Sequence, residues 1–243
     1  MNLHNRHPFP ATRWSLVAAS QRDDEPRARA ALADLCRDYW FPVFGFIRAR
    51  SGSVEDAEDR TQGFFGSIIK KRTFARADPG RGKFRTFLLA AARHFLDDER
   101  DRDHAMKRGA DRVVSFDAMQ AEERLRAEPR DHRTPEQIFM RRYVTAMLDA
   151  CLAELREEWA ADGNAAFFDA LAAYVTRSSF ENETRDDIAS RLGIPPSRVK
   201  DKLEDLKERL GKIIRRRVSD TLHHPTNDDI VAERDALLVC LTE

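Results

Sequence analysis

Thr184-Arg185-Asp186-Asp187-Ile188-Ala189-Ser190-Arg191-Leu192-Gly193-Ile194-Pro195-Pro196-Ser197-Arg198-Val199 is the most specific local pattern in this 243-residue chain. A short helix here turns Ile188, Ala189 and Leu192 to one side, with Ala189 small enough for close packing. Gly193 then supplies a turn conformation that residues with a Cβ resist. The apolar Ile194 and a new helix capped near Pro195 complete a helix-turn-helix layout, for which a plain helical hairpin is the alternative.

The second helix of that layout spans Ser197 to about Arg217, with Val199, Leu203, Leu206, Leu210 and Ile213 as its core stripe. Its opposite face carries Asp201, Glu204, Asp205 and Glu208, and the bases Lys200, Lys202, Lys207 and Arg209 flank it. Lys200–Glu204 and Asp205–Arg209 are each four apart, so the helix can satisfy its own charges. Arg215-Arg216-Arg217 lies past this stretch, where it could grip a phosphate backbone without reading sequence.

Outward from this motif the helical signal continues. Thr134-Pro135-Glu136-Gln137 starts a helix to about Ala160, with Phe139, Tyr143, Met147, Cys151, Leu152, Leu155 and Trp159 inward. Asp162-Gly163-Asn164 turns the chain, Ala165 to Val175 is helical, and Arg177 to Glu183 is a polar loop. The amino-terminal half holds three more helical stretches. Ala28 to Ile47 repeats Leu32, Leu35, Tyr39, Trp40, Val43, Phe44 and Ile47. Val54 to Lys71, capped at Ser53, turns Ala57, Thr61, Phe64, Phe65, Ile68 and Ile69 together. After the loop Ala77 to Gly82, Phe84, Phe87, Leu88, Ala91, Ala92 and Phe95 recur with a helix period.

The resulting expectation is an all-α chain of two helical domains joined by a long linker: 26–104, linker 105–133, 134–218, and a carboxyl-terminal extension 219–243. In the extension, Ile230, Val231, Leu237, Leu238 and Leu241 mark an amphipathic helix that packs on the second domain or binds a regulator.

Composition narrows the function classes. Lys+Arg and Asp+Glu both number 42, which excludes a protein held on nucleic acid by bulk positive charge but not one with local basic patches. Charged residues reach 35%, and no apolar run is long enough to span a bilayer. Cys36, Cys151 and Cys240 are far apart and unpaired in spacing, as buried thiols in a reducing compartment are. The adjacent His223-His224 diverge on a helix and make a poor metal site. The expectation is a cytoplasmic protein with no cofactor, no metal and no catalytic spacing of residues, and hence not an enzyme.

Two further tracts carry a family resemblance. Glu55-Asp56-Ala57-Glu58-Asp59-Arg60-Thr61-Gln62-Gly63-Phe64-Phe65 matches an "EDAEDxxQxxF" helix, and Lys83-Phe84-Arg85-Thr86-Phe87-Leu88-Leu89-Ala90-Ala91-Ala92-Arg93-His94-Phe95-Leu96-Asp97-Asp98 is similar to "FRTWLxxIARN". In these tracts the chain resembles bacterial RNA polymerase sigma factors of the extracytoplasmic-function type. Thr12-Arg13-Trp14-Ser15-Leu16-Val17 is similar to a planctomycete-like subgroup with a carboxyl-terminal extension. The resemblance implies that the two domains are sigma domains two and four, and that the partners are core RNA polymerase, promoter DNA and an anti-sigma or other regulator. It implies polymerase docking by Asp56, Glu58, Asp59, Gln62 and Phe65. It also implies DNA contact by Arg81, Lys83, Arg85, Arg93 and His94 at the melted minus-ten element, and by Ser197, Arg198, Lys200 and Lys202 at the minus-thirty-five element. Phe84, Phe87 and Phe95 read either as a platform for unstacked bases or as core, in which case the base pocket falls to the loop Arg72 to Gly82. The acidic face of the last helix favours a second reading, an interaction protein with the same fold that docks without reading an upstream element.

Overall fold

The computed structural model describes residues 14–21, 25–106, 133–176 and 184–242, and every regular element among them is helical. The chain folds as two compact units that part between Thr145 and Ala146. Most of the expected linker (107–132), the loop 177–183, and Thr12 and Arg13 lie outside the described residues.

The first unit contains α1 (Trp14–Ser20), α2 (Glu25–Arg48), α3 (Val54–Lys70) and α4 (Phe84–Met106). It also takes in the opening turns of α5 (Pro135–Ala161) and, from the far end of the chain, α9 (Asn227–Thr242). Two short 3-10 turns, Thr73–Arg76 and Pro79–Arg81, connect α3 to α4. Ser53 caps α3 by accepting from the Asp56 amide at 3.1 Å, as its spacing predicts. The core is aromatic. Phe84 meets Trp14, Tyr39 and Phe74 at centroid distances of 6.1, 5.3 and 5.8 Å, and Phe64 meets Phe95 edge-on at 5.7 Å.

Two findings here depart from the sequence reading. Tyr143, grouped by its period with the second domain, stacks on Tyr39 at 5.8 Å and so belongs to the first unit. The extension packs in cis, but its residues from Asp220 onward group with α1–α4 rather than with the helix-turn-helix. The anchors are Leu237 and Glu233, at 1% and 3% exposure.

The second unit holds the rest of α5, then α6 (Ala165–Thr176), α7 (Arg185–Leu192) and α8 (Pro196–Asp220). Its core joins Cys151, Leu155 and Trp159 to Phe168, Leu171, Ile188, Ala189, Val199, Leu206 and Ile213. Thr184 and Asp187 form a reciprocal capping box on α7, and Gly193 ends that helix at φ 64°, where its amide donates to Ala189 and Ser190. The Ile194 amide also returns to the Ala189 carbonyl at 3.0 Å. These bonds fix the turn that leads into α8.

Candidate functional site

The loop before α4 is built by local chemistry. Asp78 accepts from the Gly80 amide at 2.8 Å, and Gly82 adopts φ 127°, which only glycine takes without strain. Arg81 on this loop is exposed, and Lys83 at its end is half-buried. Phe84 is 2% exposed and inserted among the aromatic rings, so it is core rather than a stacking platform. Phe87 tilts against it at 6.0 Å.

Arg85 is buried. Its guanidinium lies over the Tyr143 ring at 5.4 Å and forms an ion pair with Glu233 of α9, which also receives Lys83. The carboxylate is itself 3% exposed, so two of the expected DNA-contacting cations converge on one buried acid from the chain's own tail. Arg93 and His94, farther along α4, are exposed. Arg93 donates to Glu136 at 2.8 Å, and Arg50 reaches the same oxygen at 3.0 Å. Burial raises the Glu136 pKa, but the hydrogen bond from Arg93 and the two positive charges outweigh it and hold the group below its usual value.

On α3 the expected docking residues divide by face. Asp59 and Gln62 are exposed, and Asp56 is half-buried with its carboxylate accepting from Arg60 at 2.8 Å. Glu58 is 7% exposed, and Phe65, at 4%, stacks on Trp40 at 5.5 Å. Of the expected docking residues, Asp59, Gln62 and part of Asp56 therefore face outward, while Phe65 holds the helix on its unit.

On α8, Ser197, Arg198 and Lys200 are exposed. Lys202 is held against its own unit by Asn164 Oδ1 at 3.1 Å and by the rings of Trp159 and Phe167 at 5.5 and 5.6 Å. Three acids of this helix have intramolecular partners: Lys200–Glu204 at 3.9 Å, Arg209 to Asp205 at 2.9 Å with a second bond to Asp162 at 2.7 Å, and Lys212–Glu208 at 2.6 Å. Arg216 and Arg217 both pair with Glu154; Arg217 is 8% exposed, whereas Arg215 and Arg216 are exposed. Burial raises the Glu154 pKa, yet the hydrogen bonds from Arg216 and Arg217 and their charge leave it below the usual carboxylate range.

Beside the Lys83–Glu233 contact lies an open cavity of about 550 Å³. Trp14, Gly80, Gly82 and Lys83 line one side, and His223, Asp229 and Glu233 line the other. Sequence reasoning missed Glu233, Glu136 and Glu154 as partners. For Glu233 a signal was present: Ile230, Glu233 and Leu237 are spaced three and four, which puts the acid on the apolar face of its own helix. No group of metal-ligating side chains gathers among the described residues, and none of their helices is long and apolar enough to cross a membrane. No protein-family model, curated protein or solved structure matches the chain.

Proposed function

We propose that this chain is a transcription initiation factor of the sigma type, which binds core RNA polymerase through α3 and contacts promoter DNA through the loop before α4 and the exposed part of α4. One observation carries the proposal. A single compact unit presents an α3 face with Asp59 and Gln62 outward and also a basic edge with Arg81, Arg93 and His94 exposed. Carboxylates on a rigid helix suit a basic protein surface, and arginines on a neighbouring loop and helix suit phosphates. The resemblance of Glu55–Phe65 and Lys83–Asp98 supplies the identity of the two partners. Charge reversal at Asp59, Asp59→Lys, tests it: core polymerase binding is lost while the circular-dichroism spectrum is unchanged. Retention of wild-type binding would remove α3 as the docking helix.

A second reading has its own support. The face of α8 that would approach a major groove carries Glu204, Asp205 and Glu208, and each has a cationic partner within the chain. A carboxylate about 8 Å from a phosphate costs roughly 0.5 kcal/mol even at the dielectric of water, so several such acids weigh against DNA contact. On this reading the protein docks on polymerase and acts without an upstream element. Promoter-specific transcripts from a reconstituted system favour the first reading, and polymerase binding without transcripts favours the second.

A further inference from the structure

We propose that the Lys83–Arg85 pair is an anion site for the nucleic-acid backbone and that Glu233 occupies it in cis, so that α9 must lift before DNA reaches these cations. The inference rests on the DNA-contacting role proposed above for the loop and α4. Lys83 and Arg85 flank the start of α4, where the helix dipole favours an anion, and both side chains converge on a single carboxylate. That carboxylate comes from the far end of the chain and is 3% exposed, so the helix covers the site.

The plug fits imperfectly, and that makes it displaceable. Arg85 Nη1 is buried without a hydrogen-bond partner, while Nη2 alone reaches Glu233 Oε1 and Lys83 takes Oε2, so the pair is not the two-pronged arrangement that gives an arginine–carboxylate contact its full strength. A backbone phosphate presents two charged non-bridging oxygens, the same number as the carboxylate, to the same guanidinium and ammonium groups. The exposed Arg81 and the open cavity beside Lys83 give an incoming backbone a route to the site. Apart from the ion pairs, Leu237 is the buried apolar anchor of α9, whereas Leu238 and Val239 are 42% and 50% exposed.

The test compares the full chain with its Glu233→Gln and Glu233→Gln/Leu237→Ala variants. Hydrogen exchange over 227–242 reports release of the helix, and a fluorescent single-stranded DNA oligonucleotide reports binding across a salt series. Release is expected in the double variant, with an affinity gain of about tenfold at low salt. The log–log salt slope should steepen by about 1.4, because two uncovered cations each contribute about 0.7 on a single strand. Adding Lys83→Gln should take back about half of that change. A released helix with unchanged affinity and slope overturns the proposal, as does a double variant whose helix stays protected. Core polymerase binding measured on the same proteins separates the two failures. If binding to polymerase persists with no change at DNA, the tail proposal alone fails. If binding to both is absent from every variant, the sigma reading fails with it.

Discussion

Gly45→Ala gives opposite signs on helix propensity and on packing, and the structure decides between them. Gly45 lies inside α2, where alanine is favoured over glycine by about 1 kcal/mol. A Cβ at this position, however, would stand 2.3 Å from Cδ and 2.6 Å from Nε of Arg142. Arg142 is 6% exposed, so it has no solvent to retreat into, and its guanidinium sits 4.5 Å above the Phe41 ring. Displacing it forfeits roughly 1–2 kcal/mol of cation–π attraction, and disturbing a buried charged group costs a further ~1.5–3 kcal/mol. The net expectation is a loss of roughly 1.5–4 kcal/mol. Urea titration followed by hydrogen exchange over 25–48 reads the first unit separately, since two compact units need not unfold in one transition. With a slope of about 2 kcal/mol/M, the midpoint of that unit should fall by roughly 1–2 M. In an Arg142→Ala background the clash is gone, and the same substitution should become neutral or stabilising. A rise in the midpoint for Gly45→Ala in the wild-type background would refute the reasoning.

Other perturbations follow from the same structure. Glu154→Gln leaves Arg216 and Arg217 without their carboxylate, so the second unit should lose stability at neutral pH. Because the folded pKa of Glu154 is depressed, its contribution is complete above the unfolded value of about 4.3 and disappears as pH falls through the folded value. Stability curves of wild type and variant should therefore converge on acidification, and a constant gap down to about pH 2 would refute this linkage. Thr184→Ala removes the side-chain half of the capping box on α7 and should cost about 1 kcal/mol, seen as faster exchange of the α7 amides. The double substitution Glu204→Arg/Asp205→Arg should tighten DNA binding and steepen its salt dependence by up to about 0.9 per new duplex phosphate contact. An unchanged slope would show that α8 does not face DNA.

Local chemistry made much of the fold legible. Ser53, Thr134 and Gly193 punctuate helices where their side chains or backbone freedom predict, and the stripe from Val199 to Ile213 is the inner face of α8. Lys200–Glu204 and Asp205–Arg209, four apart in sequence, are paired in space. The candidate site was less legible because its decisive contacts are not local. Arg85 reads as a surface cation until Glu233 is brought to it from the other end of the chain, and Arg93 and Arg50 find Glu136 in the same way. Tyr143 follows the period of its own helix, and no periodicity discloses that its ring stacks on Tyr39. Phe65 illustrates the opposite limit: its helical spacing is compatible with both docking and core, and the neighbouring Trp40 ring settles its packing.

The most direct test of the central claim is to mix the purified full-length protein with bacterial core RNA polymerase and promoter DNA, reading co-migration and transcripts from one reaction. Co-migration that depends on Asp59, with transcripts starting at a defined position, is the predicted result. Absence of any complex with core polymerase would contradict it.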